Sequence, residues 1–167
     1  MNLALLSAFI PTFFFVSITP GMCMTLAMTL GMTIGVKRAL WMMLGELVGV
    51  ATVAILSAIG VAALLLNYPN VFIVLKYIGG AYLAFIGLQM CLSKGKMAIK
   101  ADANDTKPAS RIDLISQGFV TAIANPKGWA FFVALLPPFL DASQPLISQV
   151  AVLITIILTL ELTCLLI

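Results

Sequence analysis

The sequence predicts an all-α integral membrane protein, and three observations lead to this fold class. Of the 167 residues, 62% are hydrophobic and only 9% are charged, whereas about a quarter of the residues of a soluble domain are charged. The chain also contains five long apolar runs. Two of these runs are interrupted by proline at matching depths, in Thr19–Gly21 and in Asn125–Lys127. The composition excludes an ordinary soluble domain, and the runs predict helices that cross a bilayer.

The five apolar runs are each long enough to span a membrane, since about 20 apolar residues cross a hydrocarbon core. The first run is uncharged, and the later four contain one charged residue each, in order Glu46, Lys76, Lys127 and Glu161. The runs are Leu3–Val36, Ala39–Leu66, Val71–Leu92, Leu114–Leu140 and Ala142–Ile167. We therefore expect five spans.

The two proline triplets predict breaks in the first and fourth helices. Proline removes a backbone hydrogen bond, and Gly21 permits backbone angles that other residues avoid. Within a membrane the freed polar groups need protein, water or ligand partners, and paired interruptions in two halves of a chain indicate a transporter's binding site. The candidate substrate-binding residues are Thr19, Pro20, Gly21, Asn125, Pro126 and Lys127.

The basic residues predict the orientation. Lys37 and Arg38 follow the first run, and five more basic residues lie in the polar stretch between the third and fourth runs. By the positive-inside rule both segments are cytoplasmic and the N-terminus is outside. The chain is thus expected to be a multi-pass protein in contact with lipid.

The polar stretch 93–113 also predicts the domain organisation. It separates a first half, residues 1–92, with three spans from a second half, residues 114–167. An odd number of spans in each half places the halves upside down relative to each other, which predicts an inverted repeat of three-helix halves. On this plan the second half lacks its sixth span, and we expect a truncated chain or one whose sixth span lies outside this sequence.

Lys127 and Glu46 are the sharpest charged candidates, because a charge inside an apolar run is costly and seldom without function. Lys127 can bind a substrate carboxylate, with Asn125 as a partner, or it can cap carbonyls freed by the proline. Glu46 is the candidate for proton coupling, and the alternative is an interfacial position paired with Lys37 or Arg38. For Lys76 we favour snorkelling, while Glu161 has the option of pairing with Lys127.

Four glycines are interpreted as helix-packing residues, because small residues let helices approach closely in a membrane. Gly45 and Gly49 have the G-x-x-x-G spacing, which is also consistent with a homodimer face, and Gly79 and Gly80 are adjacent. The three cysteines are isolated and are interpreted as packing residues.

Several classes of function are excluded by absent motifs. The sequence has no histidine and no Cys-x-x-Cys pair, so we expect neither a metal site nor a cofactor. It has no hydrolase, metalloprotease or ATP-binding signature, which argues against an enzyme. Its net charge of +3 comes from the topogenic segments, so nucleic-acid binding is not expected.

Several segments, in order along nearly the whole chain, resemble the lysine exporter and homoserine/threonine resistance family. They are Thr19–Gly21, Gly35–Ala39, the glycines 45 and 49, Lys76–Gly87, Gly118–Phe132 and Leu135–Phe139. The resemblance implies a six-span exporter of amino acids and related metabolites in the bacterial cytoplasmic (inner) membrane, driven by protons. One departure is Met22, which stands where the family commonly has a second proline.

The sequence thus predicts a secondary-active, proton-coupled exporter of amino acids or similar molecules that works by alternating access. Efflux of a cation such as a divalent metal is an alternative within transport. A non-transporting membrane scaffold or truncated fragment is an alternative from a different class.

Overall fold

The computed structural model describes residues 3–68, a few positions between 70 and 88, and residues 109–140 and 145–166. Lys76, Gly79, Gly80 and most of the polar stretch 93–113 lie outside the described residues. All regular elements in the described ranges are helices.

The first apolar run forms two helices, α1 at Leu3–Ile18 and α2 at Met22–Ile34. Their axes differ by 53° at the intervening break. The break lies at the predicted triplet, because Pro20 has no N–H for the next helical bond. α1 continues through its other proline, Pro11, so proline alone does not end this helix.

The second run forms one helix, α3 at Val36–Asn67. Only Gly35 separates it from α2, and its φ of 85° lies in the left-handed region that favours glycine. Lys37 and Arg38 therefore occupy the first turn of α3. Arg38 Nη2 donates to the Ala109 carbonyl at 2.7 Å, which ties this turn to the end of the polar stretch.

The fourth run forms α4 at Arg111–Ala124 and α5 at Pro126–Leu135, followed by a 3-10 turn at Pro137–Phe139. The fourth helix is therefore interrupted at Asn125, as the second proline triplet predicts. α4 begins with a reciprocal capping box between Ser110 and Asp113, in which hydrogen bonds from Ser110 lower the pKa of the Asp113 carboxyl.

The last helix is α6 at Leu146–Leu166. By length and composition, α6 and the segment Val36–Gly60 are candidate membrane spans, and the bent pair α1 and α2 adds a third within the described residues. These helices fit an all-α membrane protein. They represent three of the five expected spans, because α4 and α5 are each shorter than a span and the third run is largely outside the described residues.

α3 and α4 pack backbone against backbone at three glycines. A Cβ added to Gly45 would lie 1.9 Å from the Ile115 carbonyl oxygen, and one added to Gly118 would lie 2.0 Å from that of Met42. A Cβ on Gly49 would lie 2.6 Å from the Cβ of Ala122. Gly45 and Gly49 thus lie against another helix of the same chain, which is close packing of the kind that small residues permit in membranes.

A cluster of aromatic side chains joins α1 to α5. Phe13 makes an edge contact with Phe131, with ring centroids 5.0 Å apart, and is 3% exposed. Phe9 makes a similar contact with Phe139 at 5.0 Å. This cluster holds the first broken helix beside the second.

We expect alanine at Gly45 or Gly118 to destabilise the protein, because the new methyl group would meet a backbone carbonyl that cannot rotate away. Overpacking of this kind costs about 1–3 kcal/mol. The measurement is the melting temperature of the detergent-solubilised protein. Gly31→Ala is the matched control, because a Cβ there meets no described atom within 4 Å. Equal melting temperatures for all three variants would contradict the packing described.

Candidate functional site

The two proline breaks lie against each other. A Cβ on Gly21 would lie 3.5 Å from Lys127 Cδ and 3.6 Å from Lys127 Nζ. Asn125 Nδ2 lies 3.5 Å from the sulfur of Cys23, in the first turn of α2. Residues distant in the sequence thus form one site in which both interruptions take part.

Lys127 caps the broken end of α1. Its ammonium donates to the carbonyl oxygen of Val16 at 2.6 Å and to that of Thr19 at 2.7 Å. In an uninterrupted helix the Val16 carbonyl would accept from the backbone N–H of residue 20, but Pro20 has none. The side chain of Lys127 replaces that missing donor. An ammonium has three N–H groups, so one remains for another acceptor.

The end of α1 is also closed locally. The hydroxyl of Thr19 donates to the Phe15 carbonyl at 2.5 Å. Together with the two bonds from Lys127, this bond satisfies three carbonyls at the break. Thr19 therefore acts through its hydroxyl as a donor and through its carbonyl as an acceptor.

The second break is closed by its own residues. Asn125 Oδ1 accepts from the backbone N–H of Lys127 at 3.1 Å, and Pro126 at the first helical position has no N–H to satisfy. Trp129 Nε1 donates to the Ile123 carbonyl at 2.8 Å. The N-terminus of α5 is thus capped by a side chain.

The N-terminus of α2 differs, because Gly21 at its N-cap has no side chain to supply a cap. The first N–H groups of a helix have no acceptor within the helix and carry a partial positive charge. Of the helices that follow the two breaks, α2 therefore offers backbone donors that its N-cap residue does not occupy, whereas Asn125 caps α5. Gly21, Cys23 and Met24 all face a cavity at this point.

Glu161 of α6 lies on the same cavity as Lys127. The hydroxyl of Ser17 donates to Glu161 Oε2 at 2.6 Å, and Ser17 is buried. Glu161 thus takes its hydrogen bond from Ser17 rather than from Lys127, whose two described bonds go to backbone carbonyls. The cationic group and the anionic group of the cavity therefore have other hydrogen-bond partners than each other.

The cavity is partly open to its surroundings. Each of the six helices α1 to α6 contributes to its walls. Thr19, Gly21, Asn125 and Lys127 line it, whereas Pro20 and Pro126 do not. The remaining wall is largely apolar, formed by Phe13, Val16, Val50, Val53, Phe131 and Phe132.

Glu46 lies in the core outside this cavity. It is 0% exposed, and neither carboxylate oxygen has a hydrogen-bond partner in the described part of the chain. The alternative of an interfacial Glu46 paired with Lys37 or Arg38 is therefore wrong. Glu46 interacts with the side chain of Cys23 and electrostatically with Glu161, which connects it to the residues of the cavity.

Three residues of the site are not among the predicted substrate-binding residues. Ser17 gives no signal, because serine is common in membrane helices. From the sequence we interpret Cys23 as a packing residue. It lies in the first turn after the first break, and its sulfur contacts Asn125 at the second break. Glu161 follows the same rule that singled out Lys127, namely an isolated charge in an apolar run.

No group of three or more His, Cys, Asp or Glu residues that could hold a metal occurs within the described ranges.

Comparison with known proteins places the chain in a family. The model of the "LysE type translocator" family matches residues 14–166. The chain is 31% identical to a leucine efflux protein of Enterobacter sp. (strain 638), over 78% of this chain and 61% of the relative. It is 26% identical to a homoserine/homoserine lactone efflux protein of Salmonella typhimurium, over 87% of this chain and 69% of the relative.

A third relative, an uncharacterized membrane protein of Vibrio cholerae, is 26% identical over 86% of this chain and 69% of the relative. The chain spans about 61% of the length of the Enterobacter leucine efflux protein. No solved structure matches it. Since the family model covers nearly all of the sequence, the chain belongs to the LysE type translocator family.

Proposed function

We propose that this chain forms the substrate site of a secondary-active exporter of amino acids or amino-acid-like metabolites in the bacterial cytoplasmic membrane. The family and the efflux proteins among its relatives support export. The observation that carries the proposal is the presence of both Lys127 and Glu161 on the walls of one cavity at the helix breaks.

The carboxylate of the substrate binds at the first break. Lys127 Nζ lies 3.6 Å from the position that a Cβ of Gly21 would take, which brings its remaining N–H close to the uncapped backbone N–H groups of α2. Both favour an anion, the ammonium through its charge and the amides through the helix dipole. This assignment divides the anchor between the two halves, since α5 uses its own N-terminus for the Asn125 cap.

The ammonium of the substrate binds Glu161. Ser17 occupies Oε2, and Oε1 has no partner among the described residues. Because a buried charge needs a countercharge, an α-ammonium group is a suitable partner for this oxygen. Lys127 and Glu161 then neutralise the two ends of one zwitterion.

Alternating access follows from the two breaks if the halves form an inverted repeat, in which one half moves against the other around a fixed site. α1 and α2 meet at a bend that has only Thr19–Gly21 to connect them. Closure of α2 on a bound carboxylate would change the angle at this bend. The first break is therefore the moving element of the proposal.

Glu46 is the proposed proton carrier. An unpaired carboxylate charge in a core costs several kcal/mol to bury, and a bound proton removes that cost. Movement of α2 would alter the surroundings of Glu46, because Cys23 of α2 interacts with it. Proton binding and the position of α2 are coupled in this way.

The test of export is exchange of labelled amino acids across proteoliposomes that contain the full-length protein. We expect exchange with the wild type and a loss of at least tenfold in Glu161→Gln, because the substrate ammonium then lacks its countercharge. Thr159→Val is the control on the same helix, since the Thr159 hydroxyl bonds only its own helix at Thr155. A scaffold would give no exchange of any amino acid, and a cation exporter would respond only to the ion; either result rejects the proposal.

For proton coupling we expect Glu46→Gln to abolish the response of export to an imposed pH gradient while exchange continues. Glutamine keeps the shape of the side chain but cannot bind and release a proton. Ser57→Ala is the control, because Ser57 is another buried polar residue of α3 whose hydroxyl has no partner in the described chain. A response to the gradient that is the same as in the wild type would assign Glu46 a structural role.

A further inference from the structure

The cavity contains two charged side chains among its described lining residues, Lys127 and Glu161. A bound zwitterion uses both, one for its carboxylate and one for its ammonium. No further charge remains on the described wall for a charged side chain of the substrate. A lysine or a glutamate substrate would bring a third charge into a site with no partner for it.

The polar groups of the wall are also already engaged. The Ser17 hydroxyl donates to Glu161, and the Thr19 hydroxyl donates to the Phe15 carbonyl. Both ends of the Asn125 amide are in use, since Oδ1 accepts from Lys127 N and Nδ2 contacts Cys23. A hydroxyl or amide on the substrate would find only the second lone pairs and the second amide N–H of these groups in place of its full set of hydrogen bonds to water.

What is left of the wall is apolar. Val50 and Val53 of α3 face the cavity together with Val16 and the rings of Phe13, Phe131 and Phe132. Such a surface gains free energy by removing aliphatic or aromatic area from water. From this division of the wall we infer that the exported amino acid has an uncharged, apolar side chain, and this inference rests on the proposed function.

The test compares side chains in the same exchange assay, with labelled leucine, phenylalanine, serine, lysine and glutamate as the probes. We expect exchange of leucine or phenylalanine to be at least tenfold faster than exchange of lysine and glutamate, with serine between them. Exchange of lysine or glutamate at the rate of leucine would overturn the inference and leave the proposed function intact. Absence of exchange for all five would instead reject the proposed function.

A substitution on the apolar wall tests the reason for the selectivity. Val50 is half-buried and lines the cavity, so Val50→Asp adds a carboxylate that can partner a substrate cation. We expect this variant to gain lysine exchange at least fivefold, and the isosteric neutral variant Val50→Asn to gain none. If Val50→Asp inserts normally and still does not exchange lysine, a missing countercharge is not the reason that the wild type selects against lysine. If the variant fails to insert into the membrane, the exchange rates of the five labelled amino acids with the wild type decide whether the inference holds.

Discussion

The bond from the Lys127 ammonium to the Val16 carbonyl, 2.6 Å long, is the interaction on which the rest of the site depends. Pro20 leaves that carbonyl without its helical donor, and a membrane offers no water to replace it. The donor comes from the other broken helix. The bond therefore fixes the relative position of the two breaks, and with it the place where the uncapped N-terminus of α2 meets the cavity.

The two breaks are chemically unequal as a result. The second is closed by its own Asn125 and Trp129, whereas the first relies on Lys127. The glycine contacts between α3 and α4 hold the second break close to the body of the structure. The second break is thus closed by its own residues, whereas the first needs a donor from another helix. This difference suits a site in which the first break moves and the second stays in place.

Much of this arrangement could be predicted from the sequence. The breaks at Pro20 and Pro126 follow from the missing N–H, and Lys127 stands out because a charge in lipid is costly. The partner of Lys127 could not be predicted, because the carbonyl it reaches depends on how α1 packs on α5. The burial of Glu46 could not be predicted for a similar reason. The sequence gives its depth in the second run, but it does not show which face of α3 is covered by α4.

The most direct test of this account is a double-mutant cycle between Pro20→Ala and Lys127→Met, measured as the free energy of unfolding. Pro20→Ala supplies the N–H that the Val16 carbonyl lacks, so Lys127 should matter less in that background. We predict that Lys127→Met costs about 2 kcal/mol or more in the wild type, as expected for lost bonds to a charged donor, and at least about 1 kcal/mol less beside Pro20→Ala. The exposed Lys37→Met is the control and should be additive. Additive costs for Lys127→Met and Pro20→Ala would contradict the claim that Lys127 replaces the donor missing at Pro20.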